Sequence, residues 1–154
     1  MKIVYIDAQN IHKGTKELWT IDRELFFHYM HKKFNIDQIK IFLYINSFDY
    51  FYQKLKEIYQ VIFKQTMLRK DGTIKNVDID LTMSVMDDLY ILSLAYVVSD
   101  GDFNTLIQRL VKEERLRLIV PTIDKTSSQL RHASSNIQAL SDLKHILSKK
   151  ETTN

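Results

Sequence analysis

Five short runs rich in β-branched and aromatic residues constrain this chain more than anything else in it. They are Lys2–Ile6, Ile39–Ile45, Val61–Leu68, Leu92–Ser99 and Leu116–Val120. Between them the apolar residues recur at helical spacing: Leu25, Phe26, Tyr29, Met30 and Phe34 after the first run, and Phe103, Leu106, Ile107, Leu110 and Val111 after the fourth. Strands that alternate with helices pair in parallel, because each crossover returns the chain to the same edge, and the helices then cover both faces. The expectation is an α/β fold with a central, mostly parallel sheet of about five strands. Two further helical stretches are expected at 127–134 and 136–147. One domain over 1–149 and a frayed tail at 150–154 complete the reading.

A parallel sheet binds ligands at the carboxyl ends of its strands, where the connections open. The residues at those ends are therefore the ones to read for chemistry. The first run ends in Asp7, followed by Ala8-Gln9-Asn10, and the fourth ends in Ser99-Asp100-Gly101-Asp102. Gly101 allows a turn sharp enough to aim two carboxylates at one point. Anions held that close repel unless a proton or a cation lies between them. A third acidic segment, Asp78 and Asp80, opens the helical pattern through Met83, Val85, Met86 and Leu89, where capping is the plain structural role and an inward-facing acid is the functional one. A phosphatase with an aspartyl nucleophile would want a second Asp two residues past Asp7, where Gln9 stands.

Other polar residues read as structural. Thr20 or Asp22 suits the cap of the helix that Lys32-Lys33 closes, and His28 and His31 read as surface residues on it. Asp87-Asp88 reads as a solvated helix end. The dense tyrosines and phenylalanines between 48 and 59 belong mostly to a core by their spacing. With no Cys, thiolate metal sites and thiol nucleophiles are excluded, so a metal would be held by oxygen or imidazole. A net charge of +3 on 154 residues is a mild bias toward polyanions. Met1–Ile6 is too short for the apolar region of a signal peptide and no run approaches a membrane span, so a cytoplasmic protein is expected.

Three pieces in series, Tyr5-Ile6-Asp7-Ala8-Gln9-Asn10, Lys75-Asn76-Val77-Asp78-Ile79-Asp80-Leu81 and Val98-Ser99-Asp100-Gly101-Asp102-Phe103, resemble the NYN domain family of PIN-like nucleases related to LabA-type proteins. The resemblance implies a Rossmann-like PIN fold and a ribonuclease that depends on a divalent metal. It makes Asp7, Asp78, Asp100 and Asp102 the catalytic and metal-binding acids, with Asp7 and Asp100 as primary ligands. Asn10, Lys75 and Ser99 would support them. The cofactor implied is Mg²⁺ or Mn²⁺, hard cations that suit carboxylates and bridge to substrate phosphates. The partner implied is nucleic acid, RNA first; a homodimer is one of the open assemblies. His12, Lys13, Arg69, Lys70 and Arg131 are candidate contacts to the substrate backbone. Two positions depart from the family: Ser84 stands where many relatives have an acid, and Ser134-Ser135 replaces a late Ala-Asp pair. The competing reading is a noncatalytic RNA-binding or regulatory protein on a degenerate PIN-like fold.

Overall fold

The structure, a computed structural model, describes residues 1–7, 22–43, 53–54, 56–57, 61–65, 70–71, 77–98, 110, 112–120 and 137–148. Among the described residues six strands form one sheet: β1 (Lys2–Asp7), β2 (Gln38–Leu43), β3 (Val61–Gln65), β4 (Leu94–Val98), β5 (Leu116–Val120) and β6 (Ile137–Ala139). Their order is β3-β2-β1-β4-β5-β6 and every pairing is parallel. The chain therefore steps outward from β1 through β2 to β3, crosses back to the other side of β1, and steps outward again through β4, β5 and β6. That reversal falls between β1 and β4.

The middle strands read as unbroken apolar runs because both faces are covered. Ile3, Val4, Tyr5 and Ile6 are all buried. The two-residue alternation sends Val4 and Ile6 to one side, against Phe26, Phe27 and Met30 of α1 (Arg23–Phe34). It sends Ile3 and Tyr5 to the other, with Leu81 and Val85 of α2 (Val77–Asp87). Two cores thus share one sheet. Each buried Leu, Ile or Phe contributes about 1.5–3 kcal/mol relative to exposure.

Helix α1 has a cap at each end that the sequence specifies. Asp22 accepts a hydrogen bond from the Leu25 amide at 3.1 Å, and its own amide donates to the Leu147 carbonyl at 2.6 Å. Of the two expected caps, Asp22 is the one used. At the other end Asn35 takes the left-handed conformation (φ 52°) and donates to the His31 carbonyl, with His31, Lys32 and Lys33 in the last turn facing the helix's negative pole. His28 and His31 are exposed, as expected of surface residues. Replacing Asp22 by Ala removes the side-chain cap and is expected to cost about 1 kcal/mol, read as a fall in melting temperature of roughly 3 °C; Asp22→Asn should melt like the parent.

The carboxyl-terminal part differs from expectation. The segment 136–147 does not form one helix: Ile137–Ala139 adds a sixth strand beside β5, and a 3-10 turn (Leu140–Leu143) and the short α3 (Lys144–Leu147) follow. Ile137, Leu140, Leu143 and Leu147 are spaced as on a helix, but the open edge of β5 offers backbone partners that a helix start would forgo. Leu140 and Leu147 still reach the core on the α1 side. The expected helix at 127–134 lies outside the described residues.

Candidate functional site

Asp7 is the last residue of β1 and stands half-buried at the carboxyl edge of the sheet. The neighbouring strand β4 is in register with it, Ile6 pairing with Val98, so β1 and β4 end at the same level. Asp7 also pairs with Phe42 of β2 on its other side. This is the switch point at which the chain reverses direction across the sheet, and crevices for ligands open there. Immediately after Val98 the chain reads Ser99-Asp100-Gly101-Asp102. Ser99, Asp100 and Asp102, like Asn10 and Lys75, lie outside the described residues.

Helix α2 runs antiparallel to β1. Its carboxyl end leads to Asp88, which meets Tyr5, and the turn beyond reaches the amino edge, where the Met1 amine donates to the Ile91 carbonyl at 2.8 Å. Arg115 anchors the same turn by donating to the carbonyls of Leu89 and Leu92. The amino end of α2, with Asp78, consequently lies toward the carboxyl edge where Asp7 stands. At 3.6 residues per turn, position 78 falls between Leu81 and Thr82 around the helix, and both of those are buried. Position 80 falls on the opposite side with Met83 and Asp87, and all three are exposed. Helix phase therefore separates two acids that the sequence leaves equivalent. Position 78 lies on the arc between Leu81 and Thr82, and Asp80 lies on the exposed outer arc.

Ser84 is buried further toward the carboxyl end of α2, about 120° around the helix from position 78. A serine there adds no charge to the interior. Lys70 is exposed; His12, Lys13, Arg69, Arg131, Ser134 and Ser135 lie outside the described residues. Among the described residues no three His, Asp or Glu side chains form a metal-binding group. The donor set the sequence supplies around this edge is all carboxylate, with no Cys in the chain, and hard oxygen donors fit Mg²⁺ or Mn²⁺. Among the described residues no helix is long and apolar enough to cross a membrane.

A polar cluster that the sequence reading missed lies beneath this edge. Asp88, expected to be a solvated helix end, is half-buried and uses one oxygen, Oδ2, to accept from Tyr5 Oη at 2.7 Å and from Lys40 Nζ at 2.6 Å. Asp87 beside it is exposed, as expected. Tyr5 and Lys40 are direct register partners on β1 and β2. The available signal was Lys40 itself, a charge inside Ile39-Lys40-Ile41-Phe42, where every neighbour is buried. A cation in such a run needs an anion, and Asp88 supplies it.

Burial, and then the hydrogen bond to and the charge of Asp88, hold the Tyr5 hydroxyl well above its ordinary pKa; burial likewise raises Tyr96, partly offset by Arg117. Above the ordinary tyrosine value near 10, the unfolded chain loses the Tyr5 proton while the folded chain keeps it. The Tyr5 contribution is thus fully present below that value and is lost as pH rises through it toward the folded pKa. In an alkaline titration, the folded protein at about pH 11 should show fewer tyrosinates than the denatured chain. Tyr5→Phe should flatten the fall in stability over that range; an unchanged slope would exclude Tyr5 as its source.

A parallel sheet that reverses between β1 and β4, with helices on both faces and Asp7 at its carboxyl edge, defines a Rossmann-like α/β protein of the PIN-like class. Residues 2–141 match the NYN domain, and the chain belongs to the NYN domain family. A crystal structure of a protein of unknown function from Vibrio parahaemolyticus is similar in fold, with a TM-score of 0.67 at 20% identity over 90% of this chain and 91% of that one. No curated protein matches the chain.

Proposed function

We propose that the protein is a divalent-metal-dependent nuclease that hydrolyses phosphodiester bonds in RNA. The observation that carries this reading is the carboxyl edge of β1 and β4. Asp7 ends one strand there, the adjacent strand runs level with it toward the sequence Ser99-Asp100-Gly101-Asp102, and Asp78 lies in the first turn of α2. Membership of the NYN family, whose general activity is nucleolytic, supports it.

On this reading Asp7 and Asp100 hold the metal, Asp78 and Asp102 complete the acidic set, and Asn10, Ser99 and Lys75 orient them. A hard dication bound there supplies Lewis-acid stabilisation of charge on the scissile phosphate. The carboxylates hold that cation and orient the attacking water. Ser84 in place of an acid favours the second reading, in which the same edge binds RNA without cutting it.

Cleavage of single-stranded and structured RNA, with DNA in parallel, should require Mn²⁺ or Mg²⁺ and be lost in Asp100→Asn. Equal cleavage by parent and variant would assign the activity to a contaminant. Metal that binds only the folded state raises its stability, by about 1.4 kcal/mol at ten times the dissociation constant. A melting temperature unmoved by millimolar Mn²⁺ would count against the site, and binding of RNA without turnover would favour the noncatalytic reading.

A further inference from the structure

The Tyr5–Asp88–Lys40 cluster lies outside the acidic edge, and stability alone does not account for it. Both charged side chains are withdrawn from water, with 9% of Lys40 and 13% of Asp88 exposed. A pair so placed gains little over apolar side chains of the same volume, because desolvation consumes most of the attraction. What it does supply is direction. Leu81 and Val85 press α2 onto the sheet through contacts that are not directional and tolerate sliding. Charge-assisted hydrogen bonds of 2.6 and 2.7 Å tolerate little.

The two anchors are a register pair on adjacent strands, and Tyr5 lies two residues before Asp7 on the same face of β1. The anchored group follows directly on α2, whose opposite end carries Asp78. One carboxylate thereby ties the strand that bears Asp7 to the helix that bears Asp78. We infer that Asp88, Lys40 and Tyr5 are positioning residues that fix the register of α2 against β1 and so set the spacing of Asp7 and Asp78. The inference rests on the nuclease reading for its catalytic consequence but not for its structural one. Misplacement of a catalytic group by about 1 Å costs up to about a hundredfold in rate.

The test is the triple variant Tyr5→Phe/Lys40→Met/Asp88→Leu, which replaces every polar member at similar volume and leaves no orphan. It should melt within a few degrees of the parent. Its kcat on RNA should fall about tenfold or more with KM within twofold, and more Mn²⁺ should be needed to raise its melting temperature. Amide exchange at Leu81 and Thr82 should accelerate about tenfold, while β1 and β4 exchange as in the parent. A triple variant with parental kcat and parental exchange at those amides overturns the inference. Should the triple variant not fold, Tyr5→Phe alone removes one of the two bonds, and parental exchange in α2 together with parental kcat overturns it equally. If the parent neither cleaves RNA nor responds to Mn²⁺, the nuclease reading fails, and the exchange measurement still decides whether the cluster sets the register of α2.

Discussion

Asp7→Asn should fold like the parent and lose metal-dependent RNA cleavage by on the order of a hundredfold or more. The fold is expected to survive because Asp7 ends β1 while the core is built from the four buried residues before it. Asn has almost the volume of Asp and leaves strand pairing with Phe42 in place. What it lacks is the negative charge, and a neutral amide oxygen is a much poorer ligand for a hard dication. The loss should appear in both readouts, the initial rate of cleavage and the Mn²⁺-dependent rise in melting temperature. Asp80→Asn is the matched control. It removes an equal charge from the same helix turn as Asp78, but on the outer arc where Asp80 is exposed. That variant should cleave at close to the parental rate. Parental cleavage by Asp7→Asn would remove Asp7 from the reaction, whereas equal losses in Asp7→Asn and Asp80→Asn would point to net charge rather than to a site.

The contrast between Asp78 and Asp80 shows where sequence reasoning stops. Both acids lie at a helix start, where either could cap, and only the phase of α2 relative to Leu81 and Val85 tells them apart. That phase is set by which residues find the sheet, and the sheet is assembled from strands far away in the chain. Strands β1 to β5 were legible because each is a short run dominated by β-branched, aromatic and other apolar residues, even where Lys40 interrupts β2 and Arg117 interrupts β5. β6 was not, since three residues are too few to show a strand period and their spacing with Leu140, Leu143 and Leu147 imitates a helix. Its conformation is imposed by the open edge of β5. Asp7 could be read from its place at a strand end. Asp88 could not, because a carboxylate just past a helix is ordinarily solvated, and what withdraws it from water is a pair of side chains 48 and 83 residues away. The local pattern carries the elements; the polar partners that lock them come from tertiary contact.

Breaking the Lys40–Asp88 pair from one side should be far more damaging than removing it whole. Lys40→Met leaves the Asp88 carboxylate, only 13% exposed, with the Tyr5 hydroxyl as the single partner among the bonds it now has to Tyr5 and Lys40. Such half-removed pairs lose about 3–5 kcal/mol, which for a chain of this size is a fall of roughly 10 °C or more in melting temperature. Denaturant unfolding should report it as a lower midpoint at unchanged slope, since the surface exposed on unfolding is the same. Adding salt should not reproduce the effect in the parent, because a buried pair is screened much less than an exposed one. The exposed pair Lys54–Glu24, at 3.9 Å with 52% and 72% of the side chains exposed, provides the comparison: Glu24→Gln should change stability by no more than about 1 kcal/mol. If Lys40→Met proves as mild as Glu24→Gln, the interior has let water reach Asp88, and α2 is held by Leu81 and Val85 alone. If it is severe and the fully apolar triple variant is not, the cost lies in stranding a charge, and the remaining reason to keep the pair is the register it imposes on the helix above it.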